Sequence, residues 1–221
     1  MSKIQHLLFV RHGETVGNLE KIAHGQSESP LNERGVRQAE ITARMLRDWE
    51  RDYHRVITSP LSRAHHTGRY IAKSLELPID IHHDLAEGSL GDWEGVTYQE
   101  LEDFGFAKHS IRDDHFSGHN GESPIQLGNR MARTVREIRG RHPGENIILV
   151  SHGAAIAHLI ARLLDTRPAF GHQYLMHNSA VTELAFEDGQ DRPKLSTLNF
   201  HDHLPEDLKI DPAPRDQRAR K

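Results

Sequence analysis

Three short apolar runs, each ending abruptly in reactive polar residues, constrain this chain more than any other feature of its sequence. Residues 7–10 read Leu-Leu-Phe-Val without interruption, and Arg11-His12-Gly13-Glu14-Thr15 follows at once. Residues 147–150 read Ile-Ile-Leu-Val and lead into Ser151-His152-Gly153. The third run, Arg55-Val56-Ile57-Thr58-Ser59-Pro60, leads into Leu61-Ser62-Arg63. Such runs suit strands covered on both faces, as in a parallel sheet flanked by helices. Ligands of open α/β sheets bind just beyond the carboxyl ends of the strands. Three strand ends are therefore expected to carry Arg11, His12, Arg63 and His152 to one rim. The guanidinium is a planar, permanently charged fork that suits phosphate oxygens. A histidine that is partly unprotonated at neutral pH can act as a nucleophile. Together these residues point to phosphoryl transfer through a phosphohistidine.

Helical spacing fills in the covering layers. Asn32 is placed to cap a helix running to about Trp49, with Val36, Ala39, Ala43 and Leu46 as its apolar stripe. Arg34, Arg37 and Gln38 are expected on its solvent side. A second helix follows Ser59 and carries Leu61, Ala64, Gly68, Ile71 and Leu75 on one face. Arg63 falls in its first turn, where the helix dipole disfavours a cation. That misfit is explained if Arg63 holds an anion beside the helix N-terminus. Ser123-Pro124-Ile125-Gln126 starts another helix with a capping box and proline at the first position, and Leu127, Met131 and Ile138 form its buried face. Residues 79–82, 178–186 and 194–200 read as further strands. The expected architecture is a three-layer α/β/α sandwich with a mostly parallel central sheet.

The loops carry the remaining polar candidates. Residues 16–30 show little periodicity and hold Asn18, Gly25 and Gln26. Gly153 and Ala154 are small enough for helix-start N–H groups to approach an anion closely. Residues 84–95 form an acidic, glycine-rich loop with Asp84, Glu87 and Glu94. A cationic phosphate site needs one carboxyl to protonate the leaving oxygen. The alternative use of a loop carboxylate is to accept backbone hydrogen bonds, the competing expectation for Glu94. Residues 96–120 read as a substrate-covering insert, in which Lys108 and Arg112 face Glu100, Glu102, Asp103, Asp113 and Asp114, and Phe104, Phe106 and Phe116 pack or line a pocket. An acidic aromatic lid is a poor host for a substrate with several negative groups. One domain over residues 1–203 and a mobile tail over 204–221 are expected.

Composition narrows the setting. A formal charge of −4 gives no electrostatic case for nucleic acid. The apolar stretch 147–164 contains His152, His158 and Arg162 and divides into strand and helix, so no membrane span is expected. Cysteine is absent, and the N-terminal residues do not read as a signal peptide, so a cytoplasmic location is expected. The 18 histidines raise the question of metal, but the pairs His65-His66, His82-His83 and His201-Asp202-His203 lack metal-site spacing and read as surface residues. No metal or cofactor is expected.

These motifs resemble a known family. Arg11-His12-Gly13-Glu14-Thr15 with Asn18, Gly25, residues 31–35, Ser59-Pro60-Leu61-Ser62-Arg63-Ala64, Glu87, Gly91 with Glu94-Gly95, Gly121-Glu122-Ser123 and Ser151-His152-Gly153 resemble, in that order, the histidine phosphatase superfamily of phosphoglycerate mutase-like proteins. The resemblance implies that Asn18 hydrogen-bonds the phosphate and that the backbone around Gly25 and Gln26 approaches it. It implies Glu87 as the acid and His152 as a charged oxygen ligand. The expected activity is metal-independent hydrolysis of small phosphate monoesters, with a small phosphorylated metabolite as partner. A 2,3-bisphosphoglycerate-dependent phosphoglycerate mutase is the near alternative, disfavoured because no paired arginines stand between Gly95 and Asn129. A phosphoprotein phosphatase or a regulatory binding module is the further alternative. Nothing in the sequence decides between a monomer and a homodimer.

Overall fold

The computed structural model describes residues 4–49, 51–105 and 113–209. The three apolar runs form β1 (Ile4–Arg11), β2 (Arg55–Thr58) and β4 (Ile147–Ser151); β3 (Ile79–Ile81), β5 (Val181–Glu187) and β6 (Lys194–Phe200) complete one six-stranded sheet in the order β3-β2-β4-β1-β5-β6. The pairings β3-β2, β2-β4 and β4-β1 are parallel, while β5 and β6 add antiparallel. The period-2 alternation of strands sorts the apolar runs between two cores. Leu7, Phe9, Ile147 and Leu149 face one helix layer, and Leu8, Val10, Ile148 and Val150 face the other. Each fully buried aliphatic side chain there contributes about 1.5–3 kcal/mol.

The helices fall where spacing and caps put them. The described ones are α1 (Val16–Leu19), α2 (Glu33–Asp48), α3 (Ser62–Leu75), α4 (Tyr98–Asp103), α5 (Pro124–Arg141) and α6 (Gly153–Leu163). Asn32 caps α2 by accepting from the Gly35 N–H, and Ser123 with Gln126 forms the capping box of α5. Ala43 and Leu46 of α2 and Ala64 and Ile71 of α3 pack on one face of the sheet. Leu127, Met131 and Ile138 of α5 and Ile156, Leu159 and Ile160 of α6 pack on the other. The chain is thus an α/β/α three-layer sandwich. The helix after β1 and the helix after its neighbour β4 lie on opposite faces, which makes the β1/β4 boundary the crevice where such sheets bind ligands.

Several expectations need correction. Residues 16–30 are not wholly loop: Thr15 and Asn18 form a capping box on α1, a helix too short for its periodicity to be read. The strand expected from Asn178 begins at Val181, because residues 178–180 turn back against β1, where Ser179 donates its N–H to Arg11 O. Gln38 is buried rather than solvated; its amide accepts from the Glu14 N–H and donates to Leu208 O. That contact also revises the tail. Leu204 and Leu208 are buried, and Arg34 donates to Asp207 O, so residues up to 209 are packed. Residues 210–221, and Phe106, Lys108 and Arg112 of the insert, lie outside the described residues. His66 and His83 are exposed as expected, but His203 is not a surface group: its Nε2 lies 2.8 Å from Thr42 Oγ1, and burial pushes the imidazole down to about 4.

Candidate active site

Register builds the site. Arg11 on β1 is paired with Ser151 on β4, so the residues that follow, His12 and His152, leave the sheet side by side. Their ring centroids are 5.1 Å apart. Thr58 on β2 is paired with Val150, which brings Ser59 and the start of α3 against the same point. Gly13 follows because the chain must pass under the α2 N-terminus. A Cβ at Gly13 would lie 2.4 Å from Gly35 O, and one at Gly35 would lie 2.0 Å from Glu14 O. Asn32 donates its amide to Glu14 Oε1, a contact that fastens the same corner.

The two histidines are held differently. His12 is buried, and its Nδ1 lies 2.7 Å from Gly13 O. A carbonyl only accepts, so Nδ1 carries the hydrogen and Nε2 keeps its lone pair. Burial, and then the charges of Arg63 and Arg11, hold His12 well below the ordinary imidazole range. It is therefore neutral at physiological pH. His152 is also depressed, by burial first and then by Arg63. Arg63 Nε donates to His152 Nδ1 at 3.3 Å, so the ring hydrogen sits on Nε2, which faces Ser59 Oγ at 2.7 Å. Both ring nitrogens of His152 thus have protein partners, Arg63 and Ser59, at the same point as His12.

The cations leave donors over. Arg63 is buried in the first turn of α3, against the dipole preference, and donates Nη1 to Ser27 O at 2.8 Å and Nη2 to Gly25 O at 2.7 Å. Gly25 thus serves Arg63 with its carbonyl, at a φ of +51° that favours glycine. Arg11 donates Nη1 to Met176 O, and its buried Nε has no partner among the described residues. An unpaired buried donor on a permanent cation is what an arriving phosphate oxygen would satisfy.

Glu87 reaches the start of α6. Its Oε1 accepts from the Ala155 and Gly88 N–H groups at 2.8 and 2.9 Å, and its Oε2 accepts from the Ala154 N–H at 3.1 Å. The helix-start amide of Ala154, expected to meet the substrate, is taken by this carboxylate. Gly153 passes the Arg11 guanidinium, where an added Cβ would lie 3.3 Å from Nε. Glu94 takes the structural role: Oε1 accepts from the N–H groups of Gln26 and Leu90 at 3.0 and 3.2 Å. Gln26 in turn donates its side-chain amide to Glu87 O at 2.9 Å.

Four further residues belong to this corner and were not singled out as site residues in the sequence. Arg130 donates to Asp84 O, Ala86 O and Glu87 O at 2.7, 3.0 and 3.0 Å, and pairs with both oxygens of Glu122 at 2.7 Å. Tyr98, at the start of α4, lies within electrostatic reach of Arg11, Glu87 and Arg63, and burial keeps its phenol protonated. Asn178 is buried beside His12. Ser59 buttresses His152. The resemblance named Ser59 and Glu122 only as members of Ser59-Pro60-Leu61-Ser62-Arg63-Ala64 and Gly121-Glu122-Ser123; nothing local flags Tyr98, Arg130 or Asn178. Among the described residues, no group of three or more His, Cys, Asp or Glu side chains is placed to hold a metal ion, and no helix is long and apolar enough to cross a membrane.

Known proteins resemble this chain over most of its length. The family model of the histidine phosphatase superfamily (branch 1) matches residues 7–200. An uncharacterized phosphatase, PhoE of Bacillus subtilis, is 31% identical over 192 residues, 87% of this chain and 94% of that protein. An adenosylcobalamin/alpha-ribazole phosphatase of Salmonella typhimurium is 33% identical over 74% of this chain and 81% of that protein. Among solved structures, a phosphoserine phosphatase of Entamoeba histolytica in complex with phosphoserine aligns with a TM-score of 0.81 at 28% identity, covering 91% of this chain and 100% of that one.

Proposed function

The chain belongs to the histidine phosphatase superfamily, and from that membership we propose that it hydrolyses small phosphate monoesters without a metal ion, through a phosphohistidine on His12. The observation that carries this reading is the state of His12: a neutral imidazole with Nδ1 tied to Gly13 O and Nε2 without a partner among the described residues, beside two guanidiniums. Nε2 attacks phosphorus in line as the bond to the leaving oxygen breaks. Arg11, Arg63 and Asn18 take up the equatorial oxygens and their charge. The Nδ1–H bond to Gly13 O stabilises the positive ring that forms.

Glu87 supplies the proton. Oε1 already accepts two N–H groups and Oε2 only one, which leaves a lone-pair position on Oε2 for the acidic hydrogen. That proton goes to the departing alcohol. In the second half, the Glu87 carboxylate takes a proton from water as the oxygen attacks phosphohistidine. Inorganic phosphate leaves, and His12 and protonated Glu87 are restored. Relatives named for phosphoserine and alpha-ribazole phosphatase activity support a small ester as substrate.

The test is phosphate release from a panel of small monoesters, 3-phosphoglycerate included, in excess chelator, with wild type beside His12→Ala. Release that survives the chelator and vanishes in the variant is expected. Release that persists in His12→Ala overturns the mechanism. Failure with every ester, together with bisphosphoglycerate-dependent isomerisation of phosphoglycerate, transfers the site to a mutase.

A further inference from the structure

Asn178 lies 166 residues from His12 in the chain, yet its side chain bridges the His12 backbone and the Asn18 amide. Its Nδ2 donates to His12 O at 3.0 Å and to Asn18 Oδ1 at 3.2 Å. The residue is almost wholly buried. The hydrogen-bond partners decide which end of each amide points where. Asn18 Oδ1 also accepts from the Thr15 N–H at 3.2 Å, and a backbone N–H only donates. That end of Asn18 is therefore oxygen. Whatever meets it from Asn178 must be a donor, and the same atom must also satisfy a carbonyl, His12 O. Both conditions select the amide nitrogen, whose two hydrogens are then fully used.

Asn18 consequently has its oxygen spent on two donors, and its Nδ2 has no protein partner among the described residues. Its free end is the one with hydrogens to give. We propose that Asn178 is the positioning residue that fixes this orientation, so that Asn18 presents N–H rather than C=O to the phosphate while the His12 backbone is held in line. The inference rests on the phosphohistidine reading of the pocket. A flipped Asn18 would turn a lone pair towards an anion and repel it. Thr15 N–H alone disfavours the flip; Asn178 adds the second donor and links the choice to the nucleophile. The neighbouring Ser179 N–H also donates to His12 O, so the turn survives loss of the amide.

The experiment is a double-mutant cycle read by binding and by turnover. Wild type, Asn18→Ala, Asn178→Ala and Asn18→Ala/Asn178→Ala are compared for affinity to inorganic phosphate by calorimetry, and for kcat and KM on p-nitrophenyl phosphate. Asn178→Leu, which keeps the branched shape, repeats the test if Asn178→Ala folds poorly, and thermal midpoints are recorded throughout. Asn18→Ala should weaken phosphate roughly 10- to 100-fold, the range for a hydrogen bond to a charged group. Asn178→Ala should weaken it nearly as much, and the double variant no more than Asn18→Ala. Multiplied effects in the double variant overturn the inference, as does an Asn178 variant that binds phosphate like wild type. In both cases the wild-type activity still stands. If wild type neither binds phosphate nor cleaves the ester, the functional reading fails and this inference falls with it.

Discussion

Replacing Arg130 with Met separates what the Glu87 loop needs for stability from what it needs for chemistry. The guanidinium pairs with both oxygens of Glu122 at 2.7 Å and also holds three carbonyls, those of Asp84, Ala86 and Glu87. Burial by itself would raise the Glu122 carboxyl, but the Arg130 hydrogen bonds and charge overcome it and hold that carboxyl below the usual range. Removing one member of a buried pair costs about 3–5 kcal/mol, because the other charge is left unpaired. The side chains of this pair keep 13% and 21% exposure, so the lower end, about 3 kcal/mol, is expected. For a chain of this length that lowers the melting temperature by roughly 10 °C. Arg130→Met/Glu122→Gln should recover part of the loss, since no orphan charge remains. Turnover should fall unevenly. An alkyl phosphate, whose leaving oxygen takes its proton from Glu87 in the proposed mechanism, should lose about 10- to 100-fold in kcat/KM as the loop loosens by a fraction of an ångström. p-Nitrophenyl phosphate, whose leaving group needs no proton, should lose far less. A stability loss under about 1 kcal/mol, or an unchanged kcat/KM on the alkyl phosphate, would refute the reasoning that Arg130 holds this loop in place for the chemistry.

Glu87→Gln should cut kcat/KM, which reports the steps up to the phosphohistidine, by about 100- to 10,000-fold on alkyl phosphates and by much less on p-nitrophenyl phosphate; equal losses in kcat/KM on the two esters would remove Glu87 as the acid. Because His12 is held neutral well below its ordinary range, the acid limb of kcat/KM should follow the ester's own second ionisation, near 6, and move when an ester of different acidity is used. A break fixed at 6.5 for every ester would show an ordinary, solvated imidazole instead. His203 sits at about 4 in the folded chain against 6.5 unfolded, so the unfolded state binds its proton first as pH falls. Its contribution is full above 6.5 and is lost progressively down to about 4, worth about 1–2 kcal/mol after allowing for partial exposure. Urea midpoints of His203→Phe should therefore fall less steeply with acid than those of wild type, and parallel slopes would contradict the burial of this ring.

The capping residues show how far local physics reached. Asn32, Ser123 and Gln126 were readable because a cap satisfies N–H groups three residues away, and that distance is fixed in the sequence. Thr15-Asn18 obeys the same rule, yet it escaped notice because a helix of one turn leaves no apolar stripe. Gln38 was misread for the opposite reason. It lies on the polar side of the α2 stripe, but the signature backbone and Leu208 close over that side and use both ends of its amide. The tail boundary was misplaced by the same contact.

The sequence by itself determined the centre of the sheet, because short uninterrupted apolar runs suit strands covered on both faces. It also determined which reactive residues stand at the strand ends, since Arg11, His12 and His152 are contiguous with those runs. Tertiary structure alone decided the state and orientation of these groups. The neutrality of His12 and His152 comes from burial beside Arg63 and Arg11, which chain packing creates and no local pattern records. The partners that aim the site, Asn178 for Asn18 and Arg130 for the Glu87 loop, come from 160 and 43 residues away. Hydrogen bonds over such separations depend on register and loop closure, and a sequence carries no period that announces them.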